Sequence, residues 1–111
     1  MSSKIDKKIP LPTIGEFLLE YMEPLNLSAY KVAKLIHVPV SRIQDILHNR
    51  RKMTIDTSMR LGKLFGVHDL FFFEVQLDID YRKAKRELVD ELKAIKPLKR
   101  NPESVELQMD K

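Results

Sequence analysis

Apolar residues recur along this chain at intervals of three and four, and that spacing predicts helices nearly throughout. Ile14, Phe17, Leu18, Tyr21, Met22 and Leu25 form the first such face, closed by Pro24, and Thr13 with Glu16 supplies a T-x-x-E capping box at its start. Ser28 is placed to cap a second helix with Val32, Leu35 and Ile36 inward. After a break at His37-Val38-Pro39, a third short helix turns Ile43, Ile46 and Leu47 to the core. The run His48-Asn49-Arg50-Arg51-Lys52 reads as a basic loop. Thr54 or Asp56 then starts a fourth helix that buries Met59, Leu61, Leu64 and Phe65 and ends at Gly66 in a left-handed cap. Asp69 is expected to cap a fifth helix holding Leu70, Phe71, Phe72, Phe73 and Leu77. A more polar helix follows from Asp80 to about Ile95, with a narrow stripe of Tyr81, Ala84, Leu88, Leu92 and Ile95. Lys96-Pro97 ends helical structure, because proline disfavours the helical conformation of the residue before it. Residues 1–11 read as a flexible or extended arm. Residues 97–111 read as a charged, mobile tail in which Val105, Leu107 and Met109 alternate like a short strand.

The chain has 111 residues, 43% of them apolar, which suits one all-α domain with one core. It has no cysteine, excluding a disulfide scaffold, a thiol nucleophile and cysteine-ligated metals. A reducing cytoplasm suits that composition. No apolar run approaches the roughly 20 residues of a membrane span, and the opening MSSKIDKKIP lacks the apolar region of a secretory signal. His37, His48 and His68 lie 11 and 20 residues apart, which is no metal-ligand spacing, and no phosphate loop or nucleophile elbow is present. Neither catalysis, a cofactor nor a metal is expected.

Charge changes the picture more. Residues 28–63 carry eight basic side chains (Lys31, Lys34, Arg42, Arg50, Arg51, Lys52, Arg60, Lys63) against Asp45 and Asp56, a local charge of +6. The remaining twelve basic and fourteen acidic side chains sum to −2. A polyanion is therefore drawn to the middle of the chain. Two short helices joined by about four residues, with Ala33 small enough for close crossing, match a helix-turn-helix there.

In such a unit the third helix reads DNA. With Ile43, Ile46 and Leu47 inward, Ser41, Arg42, Gln44, Asp45 and His48 point outward. Gln44 suits adenine N6 and N7, Arg42 suits guanine or a phosphate, and Asp45 suits the cytosine N4 amine. Ser28 and Thr54 at helix starts, Tyr30 and Lys31 in the second helix's first turn, and Arg50, Arg51 and Lys52 in the loop are placed for phosphates. Three consecutive aromatics, Phe71, Phe72 and Phe73, cannot all face one core. They and the Tyr81, Leu88, Leu92 stripe are candidates for core packing, a dimer seam or a second protein's docking face. A dimer follows from the motif too, since a two-fold pair sets two reading helices about 34 Å apart on one face of DNA.

Several segments resemble HigA-type antitoxins, the virulence-associated protein I family within the XRE and Cro-repressor-like helix-turn-helix proteins. They are Ile9-Pro10-x-Pro12-Thr13-x-Gly15-Glu16, Glu23-Pro24-Leu25-x-Leu27-Ser28, Val38-Pro39-x-Ser41-Arg42-Ile43, Thr54-x-Asp56-Thr57, Arg60-Leu61, Phe65-Gly66 and the segment from Phe71 to Asp80. The resemblance, which runs over residues 9 to about 82, implies a five-helix, lambda-repressor-like domain, placed at residues 12–79, and the helix over 80–96 is an extra C-terminal one read from its own spacing. The resemblance also implies a homodimer that represses its own operon at operator DNA and neutralises a RelE-like mRNA-cleaving toxin. An XRE-type repressor without a toxin, or an interaction module on the same fold, are the alternatives. Pro39, Ser41, Gln44 and Asp45 match the family's base-reading positions. Two residues depart from the pattern: His37 stands where the turn usually has glycine, and Phe72 where the family usually has tryptophan.

Overall fold

Side-chain oxygens begin three helices where the sequence places them. Thr13 accepts from the Glu16 amide while Glu16 accepts from Thr13, completing the capping box. Ser28 accepts from the Lys31 amide and Thr54 from that of Thr57. A computed structural model describes residues 10–99. Its helices are α1 (Ile14–Met22), α2 (Ala29–Ile36), α3 (Val40–Leu47), α4 (Ile55–Phe65), α5 (Phe71–Glu87) and α6 (Val89–Ala94), with a 3₁₀ turn at Glu23–Leu25. No strand occurs among the described residues. Most of the expected arm and tail, including the alternation at Val105, Leu107 and Met109, lies outside the described residues.

The core is drawn from every helix but α6. Ile14, Leu18 and Met22 of α1 meet Val32, Ala33 and Ile36 of α2, Ile43 and Ile46 of α3, Met53, Leu61 and Phe72. Around Phe72 the rings of Phe17, Tyr21, Phe65 and Phe71 lie within 5.2–6.3 Å, centroid to centroid, in tilted and edge-on pairs. Gly15 lets α1 cross directly over the end of α3. A Cβ there would collide with the Leu47 carbonyl and lie 2.9 Å from that of Ile46.

Several expected core positions prove exposed. Leu25 leaves the periodic face because α1 stops at Met22 and the chain tightens through the Pro24 turn. Leu35 is exposed because α2 turns Val32, Ala33 and Ile36 inward. Met59 is exposed because α4 presents Thr57, Ser58, Leu61 and Gly62 instead. Small and polar residues occupy that inner face, which hydrophobic spacing alone misreads.

The C-terminal part differs most from the sequence reading. One helix, α5, runs through Asp80 without interruption, because Asp80 accepts from Gln76 and pairs with Lys52 rather than capping a new helix. The break comes at Leu88, after which α6 is short. Asp69 does not cap α5. Instead the buried Ser58 hydroxyl donates to the Asp69 carbonyl at 2.7 Å and accepts from the Phe73 amide at 3.0 Å, so a side chain from α4 closes the start of α5.

Candidate nucleic-acid interface

The helix-turn-helix is built from α2, a tight turn and α3. The turn needs a left-handed residue, and His37 takes it at φ 63° and ψ 49°. A residue with a Cβ pays about 1–2 kcal/mol for that conformation. The amide of Val38 bonds the Ala33 carbonyl at 3.0 Å and that of His37 bonds Lys34, closing α2. Pro39, extended at φ −62°, then starts α3 with no side-chain cap. The Arg42 amide bonds the Pro39 carbonyl at 3.0 Å.

Along α3, Ile43 and Ile46 are fully buried, which fixes the opposite face. Pro39, Ser41, Gln44 and His48 are exposed. Arg42 and Asp45 lie lower on the same helix and are both engaged. Arg42 pairs with Asp56 at 3.2 Å, and Asp56 also takes Arg60 at 2.8 Å. Arg60 in turn donates to the Ile36 carbonyl at the end of α2. Asp45 pairs with Arg50 at 3.0 Å and Arg51 at 3.9 Å. The His48 ring nitrogen Nδ1 bonds the Gln44 carbonyl at 2.8 Å.

The basic loop is held in shape from both sides. Asn49, left-handed at φ 60°, accepts the Gly15 amide of α1 with its side chain at 3.2 Å. The amides of Arg50 and Arg51 both donate to the Asp45 carbonyl. Met53 is buried, and its amide donates to the side chain of Gln76, itself buried on α5, at 2.9 Å. Lys52 reaches Asp80 at 3.2 Å. The heads of Arg50, Arg51 and Lys52 nevertheless remain largely in solvent. A braced backbone thus presents three ion-paired cations that are still accessible to solvent. Behind it lies a cleft of about 380 Å³, lined among others by Leu11, Asn49, Arg51, Ile79 and Lys83.

The other phosphate candidates, Ser28, Tyr30, Lys31 and Thr54, are exposed at the starts of α2 and α4. Phe72 is a correction: it is fully buried and cannot meet a dimer partner or toxin. Phe71 is half-buried in the same ring cluster, and Phe73 is half-buried. Tyr81, Leu88 and Leu92 are exposed at 59%, 45% and 52%, continuing a stripe with Leu77 and Ile95 along α5 and α6. Sequence reasoning missed Asn49, Asp56, Ser58 and Gln76. Asn49 had a signal, since asparagine adopts the left-handed region readily. Among the described residues no group of His, Cys, Asp or Glu is arranged to hold a metal, and no helix is long and apolar enough to cross a membrane.

Comparison with known proteins agrees with the helix-turn-helix fold. A helix-turn-helix family model, HTH_3, matches residues 18–72. Virulence-associated protein I of Dichelobacter nodosus is 36% identical over 103 residues, covering 90% of this chain and 94% of that protein. A solved addiction module antidote protein of the HigA family from Coxiella burnetii is 30% identical, with a TM-score of 0.75 over 81% of this chain and all of that one. Antitoxin HigA of Pseudomonas aeruginosa, solved with the higBA promoter, shares the fold at 23% identity and a TM-score of 0.72, over 79% of this chain and 98% of its own.

Proposed function

The chain belongs to the helix-turn-helix family of virulence-associated protein I and the HigA antitoxins, and from that premise we propose that it is a dimeric operator-binding repressor and antitoxin acting in the cytoplasm. The observation that carries the DNA half is the exposed face of α3. Ser41, Gln44 and His48 stand clear of a buried Ile43–Ile46 floor, beside a braced loop that projects Arg50, Arg51 and Lys52. Bases are read from α3, and the loop and the starts of α2 and α4 hold the phosphates. The promoter-bound relative of the same fold supports this reading.

The exposure of Leu77, Tyr81, Leu88, Leu92 and Ile95 supports a dimer, because a cluster of large apolar side chains left in solvent marks an interaction surface. The slightly acidic remainder of the chain and its likeness to a solved antidote protein support a basic, RelE-like toxin as second partner.

Electrophoretic mobility shift with the duplex upstream of the gene tests the DNA reading. Binding is expected to weaken steeply with salt yet survive random competitor DNA. Equal displacement by random and specific duplex would sink it. For the toxin, a short open reading frame encoding a small basic protein is expected beside the gene, its product co-purifying with this chain. Its absence leaves the repressor alone.

A further inference from the structure

The two acidic side chains within the basic window of residues 28–63 are both committed to arginines. Asp56 takes Arg42 and Arg60, and Asp45 takes Arg50 and Arg51. Asp45 is the unusual one, because it belongs to the reading helix while its partners belong to the phosphate loop. Its Oδ1 accepts from Arg50 Nε at 3.1 Å and lies 3.0 Å from Nη2, and its Oδ2 lies 3.9 Å from Arg51. Its backbone carbonyl takes both arginine amides. Loop and reading helix are thus joined at one residue.

The Asp45 carboxylate is 30% exposed and the arginines 59% and 48%, so these pairs face solvent, are weak and exchange easily. A carboxylate on the DNA face is repelled by the duplex unless a base offers it an exocyclic amine. On the base-reading assignment of α3 made above, we infer that Asp45 is a specificity-determining residue that couples base reading to backbone grip. In the free protein, and on sequences without an amine at the right position, its carboxylate stands in for a phosphate and keeps Arg50 and Arg51 to itself. Where the base edge presents an amine, as cytosine N4 does, the carboxylate turns to it and both arginines go to the backbone. Correct sequence is then rewarded twice and random sequence is held weakly.

The test uses the full chain in fluorescence anisotropy, with a random-sequence duplex pool and with duplexes that the wild type enriches from that pool. Asp45→Asn keeps the side chain's size and removes its charge. Asp78→Asn, which removes the same charge from an ion pair on α5, is the control for net charge. Asp45→Asn is expected to bind the random pool about three- to tenfold more tightly than wild type. Its log–log salt slope should steepen by about one to two as the arginines reach phosphates. Asp78→Asn should stay near wild type, and the ratio of enriched to random affinity should fall for Asp45→Asn alone. Asp45→Asn binding the random pool no better than Asp78→Asn, or weakening on both pools in equal proportion, overturns the coupling. A failure of the base-reading assignment looks different: the wild type then enriches no motif, and the coupling falls with it.

Discussion

Two stripes of apolar residues with the same helical spacing end up in opposite places. The stripe on α1, from Ile14 through Leu18 to Met22, is sealed beneath α3 and α5. The one on α5 and α6, from Leu77 through Tyr81, Leu88 and Leu92 to Ile95, lies open along its whole length. Periodicity states that a face wants covering and is silent about what covers it. Within this chain the cover for α1 is supplied by neighbours that the turn and the Pro24 bend bring back over it. Beyond Ile79 no described residue of α5 or α6 joins the core, although Lys52 still holds Asp80.

The contrast predicts where substitutions hurt. Phe72→Ala removes the ring at the centre of the aromatic cluster and should cost about 3–5 kcal/mol of folding free energy, read by urea denaturation. A loss under about 1 kcal/mol would mean that α5 is not part of the body at its start. Ser58→Ala cuts the link between the two regions and should cost about 1–3 kcal/mol, since the Asp69 carbonyl and Phe73 amide each lose a partner. Hydrogen exchange should quicken first in the opening turn of α5. On the DNA face, Gln44→Ala should remove about 1–3 kcal/mol of discrimination between sequences. Arg51→Ala should weaken binding to the enriched duplexes more than to the random pool, and lower the salt slope on the enriched duplexes by about 1. Equal losses on specific and random duplexes for Gln44→Ala would refute its reading role. The smallest effect on folding belongs to the open stripe. Leu88→Ser with Leu92→Ser should leave the folding of the single chain within about 0.5 kcal/mol while sedimentation shifts from dimer to monomer. A wild type already monomeric at micromolar concentration would remove the dimer from the reading.

The helix-turn-helix was legible in the sequence because its local signals and its tertiary contacts agree. Thr13, Ser28 and Thr54 cap where short-range rules put them, and Ile43 and Ile46 face inward as their spacing demands. His37 shows a local cost outvoted by that agreement, holding a turn that glycine would hold without strain. What stayed illegible depends on contacts far apart in the chain. Ser58 to Phe73, Met53 to Gln76 and Gly15 to Asn49 span 15, 23 and 34 residues. Each is a polar side chain satisfying a distant amide, so hydropathy carries no trace of it. The same holds for the site: the exposed reading face was legible, but not that Asp45 and Asp56 hold its arginines, because a charge count adds signs without pairing them.

The hydroxyl of Ser58 imposes an order of assembly. Until α4 has docked, the opening turn of α5 lacks its cap, and the rod that carries the outer stripe has no firm root. A chain whose helix-turn-helix body has not yet closed therefore holds the exposed residues from Leu77 onward on an unanchored helix.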